Sequence, residues 1–403
     1  MNKVHKSLIN VMGKPLIWYT IQDLLGAGIK DLIIVQGRDR EVENNLKQYR
    51  LGQSVKYVIQ PDPKGMGDSL ARLENLVKDH FFVVDSCHFG IKKFLKEMTV
   101  RLNRARSEMV LVGKKTKDPQ NYGILNFKGD KALGVIEKPG KGKAPSDIMV
   151  VGIYLLSKSF FKYYRSVEKH QYDFESALDL AMKETDVRVV FTDKETLSLK
   201  YPWHLLKVSK FLITNLLREG ADKSSRASKG VVIGENVFIG RNVKIFEGAV
   251  IKDFCYIGDN CVIGNNAIVR EYVNLENGVV VGALTEVTRS VFQSGTHVHA
   301  GYFGDCLIGK DCRFGAGFVS ANRRLDRGSI FSVVKGQKID TRLTSFGAVV
   351  GEGSKIAIGV GTMPGVFIGR NCLIGPGSVV FENVPDNTKL ITKFQTQTVK
   401  LRH

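Results

Sequence analysis

Residues 231–291 read VVIGENVFIGRNVKIFEGAVIKDFCYIGDNCVIGNNAIVREYVNLENGVVVGALTEVTRSV. Every sixth position is aliphatic: Ile233, Ile239, Ile245, Ile251, Ile257, Ile263, Val269, Leu275, Val281 and Val287. Two residues earlier in each unit stands a small or branched side chain: Val237, Val243, Ala249, Cys255, Cys261, Ala267, Val273, Val279 and Thr285. An α-helix repeats at 3.6 residues and an amphipathic strand at two, so neither yields a beat of six. Short strands joined by tight turns, stacked coil upon coil, do yield one. The beat resumes at Ile308 and Phe314, and again at Val350, Ile356, Thr362, Ile368, Ile374 and Val380.

This pattern resembles the hexapeptide-repeat family. The resemblance implies a left-handed parallel β-helix of triangular section with three strands per coil. Ile233 would then stack under Ile251, Val269 and Val287. Five of the six cysteines (Cys255, Cys261, Cys306, Cys312 and Cys372) fall on the small inward position, where a free thiol acts as a small hydrophobe. No C-x-x-C pair suggests a zinc ribbon or a redox dithiol.

The chain has 403 residues, enough for two or three domains. No apolar run approaches the roughly 18 residues of a membrane span, and the first residues lack an apolar signal core. The expectation is a cytoplasmic protein without a membrane partner. A net charge of +19 favours anionic partners such as sugar phosphates, nucleotides, coenzyme A or nucleic acid. The Lys and Arg residues are spread along the whole length, which argues against a nucleic-acid-reading element.

Ahead of the repeat, strand-like and helix-like segments alternate. The strands are 31–35, 55–59, 81–85, 109–112, 123–127, 133–137, 150–155 and 187–191. Such alternation predicts an α/β sandwich around a mostly parallel sheet. Residues 202–219 predict a helix whose stripe is Leu205, Leu206, Val208, Leu212, Leu216 and Leu217, and 221–230 read as a linker. The domains are therefore 1–201, a connecting helix and linker 202–230, and a β-helix 231–403. From Asn322 to Phe346 the beat is lost and Arg323, Arg324, Arg327, Lys335, Lys338 and Arg342 cluster, which predicts an extruded loop.

The order of motifs in 1–218 is similar to that of the sugar-1-phosphate nucleotidylyltransferases. Lys6 lies in HKSLINVMGKPLI, followed by QPDPKGMGDSL (60–70), Tyr122–Gly123, Glu137–Lys138–Pro139, Gly152–Ile153–Tyr154 and PWHLL. The resemblance implies a Rossmann-like nucleotidyltransferase domain that lacks the family's first strand and Gly-rich loop. It implies nucleotide-sugar contacts from Lys6, Gln60, Gly65, Gly67, Gly123 and Glu137. Three departures bear on activity. Met66 stands where Thr is usual, Ser86–Cys87 where the family has a Gly-Asp metal ligand, and Ser198 where it has the later Asp or Asn. A thiol and a hydroxyl do not replace two hard anionic magnesium ligands. The reading expects no magnesium site and lost or weak nucleotidyl transfer. A missing central strand would also leave both neighbouring strands with an open edge.

Residues 285–322 resemble the acyltransferase half of the bifunctional glucosamine-1-phosphate acetyltransferase / N-acetylglucosamine-1-phosphate uridylyltransferase family. The motif runs His299, Tyr302, Gly304, Asp305, Ile308–Gly309, Gly315–Ala316–Gly317 and Asn322. The resemblance makes His299 the base that frees an amine lone pair to attack a thioester. Tyr302 and Asn322 would orient the amino sugar, Arg270 would pair with its phosphate, and Glu286 lines the same site. Thr288 stands where the family has Lys, and Arg289 beside it is expected to face the other way by strand alternation. Arg313 replaces an Asn near the amine, and Ser345 replaces another Lys.

The function implied is an acetyl-coenzyme A-dependent N-acyltransferase acting on a phosphorylated amino sugar, in UDP-N-acetylglucosamine and cell-envelope precursor synthesis, assembled as a homotrimer. Two alternatives stand beside it. One is a non-catalytic trimeric regulator that holds a nucleotide-sugar. The other is an active nucleotidylyltransferase whose true start lies upstream.

Overall fold

The computed structural model describes residues 5–49, 51 and 55–399. The described residues divide into two units: 5–8 with Leu16–Ser198, and Ile9–Pro15 with 199–399.

In the first unit a six-stranded sheet runs in the order His80–Val84, Ile148–Ser157, Met109–Lys115, Val187–Thr192, Lys131–Glu137, Gly123–Lys128. Side chains alternate between two cores. Met109, Leu111, Tyr154 and Leu156 pack with Phe160, Phe161 and Phe174 on one side. Val110, Val112, Ile153 and Leu155 pack with Ile17, Ile21, Phe94 and Met98 on the other. A strand covered on both faces reads as a continuous apolar run, as MVLV at 109–112 does.

The expected mostly parallel sheet is corrected. Only Val187–Thr192 runs parallel to a neighbour in it, Met109–Lys115, and its other pairings are antiparallel. Strands 123–128 and 131–137 form a hairpin rather than entering through helical crossovers. Leu32–Gln36 and Val55–Ile59 form a separate parallel pair. Among the described residues, Leu32–Gln36 pairs with no other strand and His80–Val84 pairs only with Ile148–Ser157.

The second unit is the predicted stack of parallel coils, a β-solenoid matching the hexapeptide-repeat left-handed β-helix. Its three walls hold eight, nine and eight strands among the described residues. The first wall begins at Gly220–Ala221, the second at Arg226–Ala227 and the third at Val232–Ile233. Ile233 pairs with Ile251, Ile251 with Val269, and Val269 with Val287. Ile251, Val269 and Val287 are fully buried, each worth roughly 1.5–3 kcal/mol of transfer free energy. Residues 221–230 are part of the first coil rather than a linker, with Arg226–Ala227 paired to Lys244–Ile245. The helix His204–Leu216 belongs to this unit, and Lys210 Nζ lies 4.5 Å over the Tyr272 ring.

The corners obey their own rule. Left-handed backbone recurs at Asn236, Asn242, Gly248, Phe254, Asn260, Asn266, Tyr272, Gly278 and Leu284, again six apart. Asn and Gly dominate because they tolerate positive φ best. Past Val287 the inward side chains are Phe292, Val298, Phe303, Ile308 and Phe314. The steps Val287→Phe292, Val298→Phe303 and Phe303→Ile308 are each one residue short of six. The shortened corners hold Arg289, His299 and Asp305.

The interruption at 322–346 is folded rather than a bare loop. Phe331–Val334 and Gln337–Asp340 form an antiparallel hairpin. Ser332 Oγ anchors it by donating to the Gly365 carbonyl at 2.6 Å, and Asn383 Nδ2 by donating to Val333 O at 2.8 Å.

Candidate functional site

On the third wall the strands Ile268–Val269, Glu286–Thr288, Gly301–Gly304 and Phe318–Ser320 lie side by side. Glu286 is in register with Tyr302, so both project outward from adjacent coils. Arg270 leaves the end of the first of these strands and its Nη1 donates to Glu286 Oε1 at 3.0 Å. Asn322, at the end of the last, donates through Nδ2 to Asp305 Oδ2 at 2.6 Å. Asp305 is 5 % exposed and also receives Arg289 Nε at 2.7 Å and Nη2 at 2.9 Å.

Gly304 is required here by close approach. A Cβ added to it would meet Asn322 Nδ2 at 2.5 Å and Tyr302 Oη at 2.7 Å. The Tyr302 ring therefore leans along its strand toward Asp305. Burial pushes the Tyr302 phenol up, so it remains a neutral hydrogen-bonding group.

Four of the residues singled out from sequence thus share one wall: Glu286 and Tyr302 lie in register near the starts of their strands, and Arg270 and Asn322 follow the far ends of theirs. His299 lies just outside that wall. It is exposed at the corner preceding Gly301–Gly304, while Asp305 follows that strand. Four residues of strand separate the two edges by about 10–13 Å. Arg313 also lies elsewhere, on the second wall in register with His297, and donates to the Gly295 carbonyl.

The sequence reading of Arg289 needs correction. Its φ of 45° makes it a left-handed corner residue. Strand alternation does not hold there, and its side chain returns to the Asp305 cluster. Asp305 is the hub of this cluster, a place its motif alone does not announce. A signal was present in the five-residue steps that bracket it.

An apolar groove of about 620 Å³ runs across three stacked turns, Ala316–Gly317, Ile358–Gly359 and Pro376–Gly377, with Phe394 against them.

In the first unit the nucleotide-sugar candidates are engaged with one another. Gln60 Nε2 donates to Asp68 Oδ2 at 2.8 Å and to Gly65 O at 3.2 Å, while its Oε1 accepts from Ser69 Oγ at 2.8 Å. The amide expected to read a base edge staples its own loop. Gly67 is crowded by Tyr164 and Asp173, whose atoms lie 2.3 and 2.4 Å from where a Cβ would stand. Gly123 pairs with Glu137. Lys138, beside Glu137, donates to Tyr172 Oη at 3.0 Å.

The two metal-ligand positions are brought close, because His88–Phe89 pairs with Leu197–Ser198. Their chemistry does not suit a hard dication. Cys87 is fully buried, and burial pushes its thiol up to about 12. Asp85 accepts from the Cys87 backbone N–H at 2.8 Å and sits 3.3 Å from Lys6 Nζ. Magnesium favours carboxylate oxygens, and one engaged carboxylate, a neutral thiol and a hydroxyl do not fit it. Among the described residues no group of three or more His, Cys, Asp or Glu side chains could hold a metal ion.

Comparison with known proteins places these features in context. A nucleotidyl transferase family model matches residues 2–204, and a model of bacterial transferase hexapeptide repeats matches 230–271. A bifunctional sugar-1-phosphate nucleotidylyltransferase/acetyltransferase of Sulfurisphaera tokodaii is 31% identical, over 94% of this chain and 92% of its own. A bifunctional protein GlmU of Methanocaldococcus jannaschii is 28% identical over 95% of this chain and 91% of its own. One of Methanococcus maripaludis is 28% identical over 99% and 95%.

Proposed function

Because the chain belongs to the family of bifunctional sugar-1-phosphate nucleotidylyltransferase/acetyltransferases, we propose that it transfers an acetyl group from acetyl-coenzyme A to the amine of a phosphorylated amino sugar. The observation that carries this reading is the third wall, where Arg270 bonds Glu286, Glu286 stands in register with Tyr302, and Asn322 bonds Asp305. Acetyl-coenzyme A supplies the activated acyl group, and the groove over Ala316, Ile358 and Pro376 would hold its arm.

The chain's residues act as follows. Arg270 pairs with the acceptor phosphate. Tyr302 and Asn322 orient the sugar ring. His299 takes the proton from the amine as it attacks the thioester carbonyl. The coenzyme leaves as a thiol. His299 and Asp305 stand at opposite ends of one short strand, so a homotrimer is the natural assembly: a second copy would bring one edge to face the other. The engaged Gln60 and the unsuitable ligands at Cys87 and Ser198 support weak or absent nucleotidyl transfer. The place of action would be the cytoplasm, in UDP-N-acetylglucosamine synthesis. In the described residues no helix is long and apolar enough to cross a membrane.

The test is thiol release from acetyl-coenzyme A with a panel of amino-sugar phosphates. Wild type is expected to release thiol, and His299→Ala to be slower by about 10²–10⁴-fold, the usual worth of a general base. Equal rates for the two proteins would sink the assignment of His299. No release by wild type with any acceptor, together with a melting temperature raised by UDP-sugar, would favour a non-catalytic nucleotide-sugar binder.

A further inference from the structure

We propose that Arg289 is a specificity-determining residue of the acceptor site, supplying a second guanidinium for the acceptor's phosphate. This rests on the acetyl-transfer reading above. Arg289 leaves the strand Glu286–Thr288 through a left-handed corner, and its backbone N–H bonds the carbonyl of Glu271 at 3.0 Å. It therefore sits one coil, about 4.8 Å, from the neighbour of Arg270, on the same edge of the same wall.

Its side chain is pre-set. Nε and Nη2 clasp the buried Asp305 carboxylate, and Nη1 donates to Thr288 Oγ1 at 3.1 Å. Those bonds use three of the five N–H groups of a guanidinium and hold its plane, so little rotamer freedom is lost when a phosphate arrives. Arg270 is held more loosely, by one hydrogen bond to Glu286 at 3.0 Å and by Glu271 at 3.7 Å. Two planar cations oriented by carboxylates on adjacent coils suit a dianion that bridges them.

The arrangement also explains Thr288. It is fully buried, and its hydroxyl accepts from Arg289. A Lys at 288 would put a second cation against the guanidinium. The exchange at 288 and the arginine at 289 are thus linked, and the phosphate cation has moved one residue along the chain.

Calorimetric titration of the full chain with glucosamine 1-phosphate and with glucosamine tests this without turnover. Arg289→Gln is expected to weaken the phosphorylated sugar by about ten- to hundredfold and glucosamine by less than about twofold. Arg289→Lys, which keeps the charge, is expected to recover part of the loss, and it serves if the Gln variant fails to fold. The proposal is overturned if Arg289→Gln binds glucosamine 1-phosphate as wild type does, weakens both sugars equally, or if wild type does not prefer the phosphorylated one. Thiol release on the same preparations separates the two claims. Wild type that prefers the phosphate but releases no thiol contradicts acetyl transfer alone. Wild type that releases thiol, with an unchanged KM in Arg289→Gln, contradicts Arg289 alone.

Discussion

The two candidate sites both pair polar side chains among themselves and differ in what surrounds them. In the α/β unit, Gln60, Asp68 and Ser69 bond one another, Lys6 faces Asp85, and Cys87 is sealed inside. On the β-helix wall, Arg270, Glu286, Tyr302 and Asn322 stand half-buried, and His299 is exposed. Packing explains much of the contrast. The inside of a three-sided coil stack is filled by aliphatic and aromatic residues, so outward positions are free to carry chemistry. In the sandwich the site residues sit on strand ends, short helices and turns that must also hold themselves together. At the metal-ligand positions stand Cys87 and Ser198, with Asp85 engaged by Lys6 and by the Cys87 backbone N–H.

The largest effect on this comparison is His299→Ala, with its hundredfold or greater loss of thiol release. Next is the platform itself. Phe303 lies under the site strand and packs against Phe292, Phe314 and Phe318 at ring-centroid distances of 5.3, 5.0 and 4.7 Å. Phe303→Ala is expected to destabilise the β-helix by about 3–5 kcal/mol, read by denaturant unfolding. A loss below about 1 kcal/mol would mean that the aromatic stack does not set the wall.

The smallest effect concerns a buried carboxylate. Glu276 is 1 % exposed, and its Oε1 accepts from Gly13 N–H at 3.2 Å and Asn274 Nδ2 at 2.9 Å. Burial pushes its carboxyl above the usual range. Such a group is fully stabilising below its ordinary pKa, where it is protonated in both states. That stability is lost as pH rises through the folded value, because the unfolded chain ionises first. Glu276→Gln is therefore expected to raise the melting temperature at pH 8 by about 2–4 °C, and to change it less at pH 4. A gain that does not depend on pH would show that the carboxyl ionises as freely in the fold as in the open chain.

How much was legible in sequence differs between the halves for physical reasons. The coils could be read because each inward position answers to one rule at a fixed spacing, and the stacking of Ile233, Ile251, Val269 and Val287 follows from it. The five-residue steps around Arg289, His299 and Asp305 broke that count, so the beat seemed to stop at Val287. Arg289 was misjudged because alternation applies to strands and not to left-handed corners. In the sandwich the strand positions were legible but their directions were not, because a helix-rich stretch suggests crossovers where 123–137 turns back as a hairpin. No local pattern announces that Asn274, Glu276 and Gln293 hold the backbone of Asn10, Met12 and Gly13, since those contacts join residues more than 260 positions apart.

The most direct test places both chemistries in one tube: wild type with acetyl-coenzyme A, UTP, magnesium and glucosamine 1-phosphate, with products read by mass spectrometry. The account predicts N-acetylglucosamine 1-phosphate and free thiol, with little or no UDP-sugar or pyrophosphate. UDP-sugar and pyrophosphate without acetylated product would contradict it.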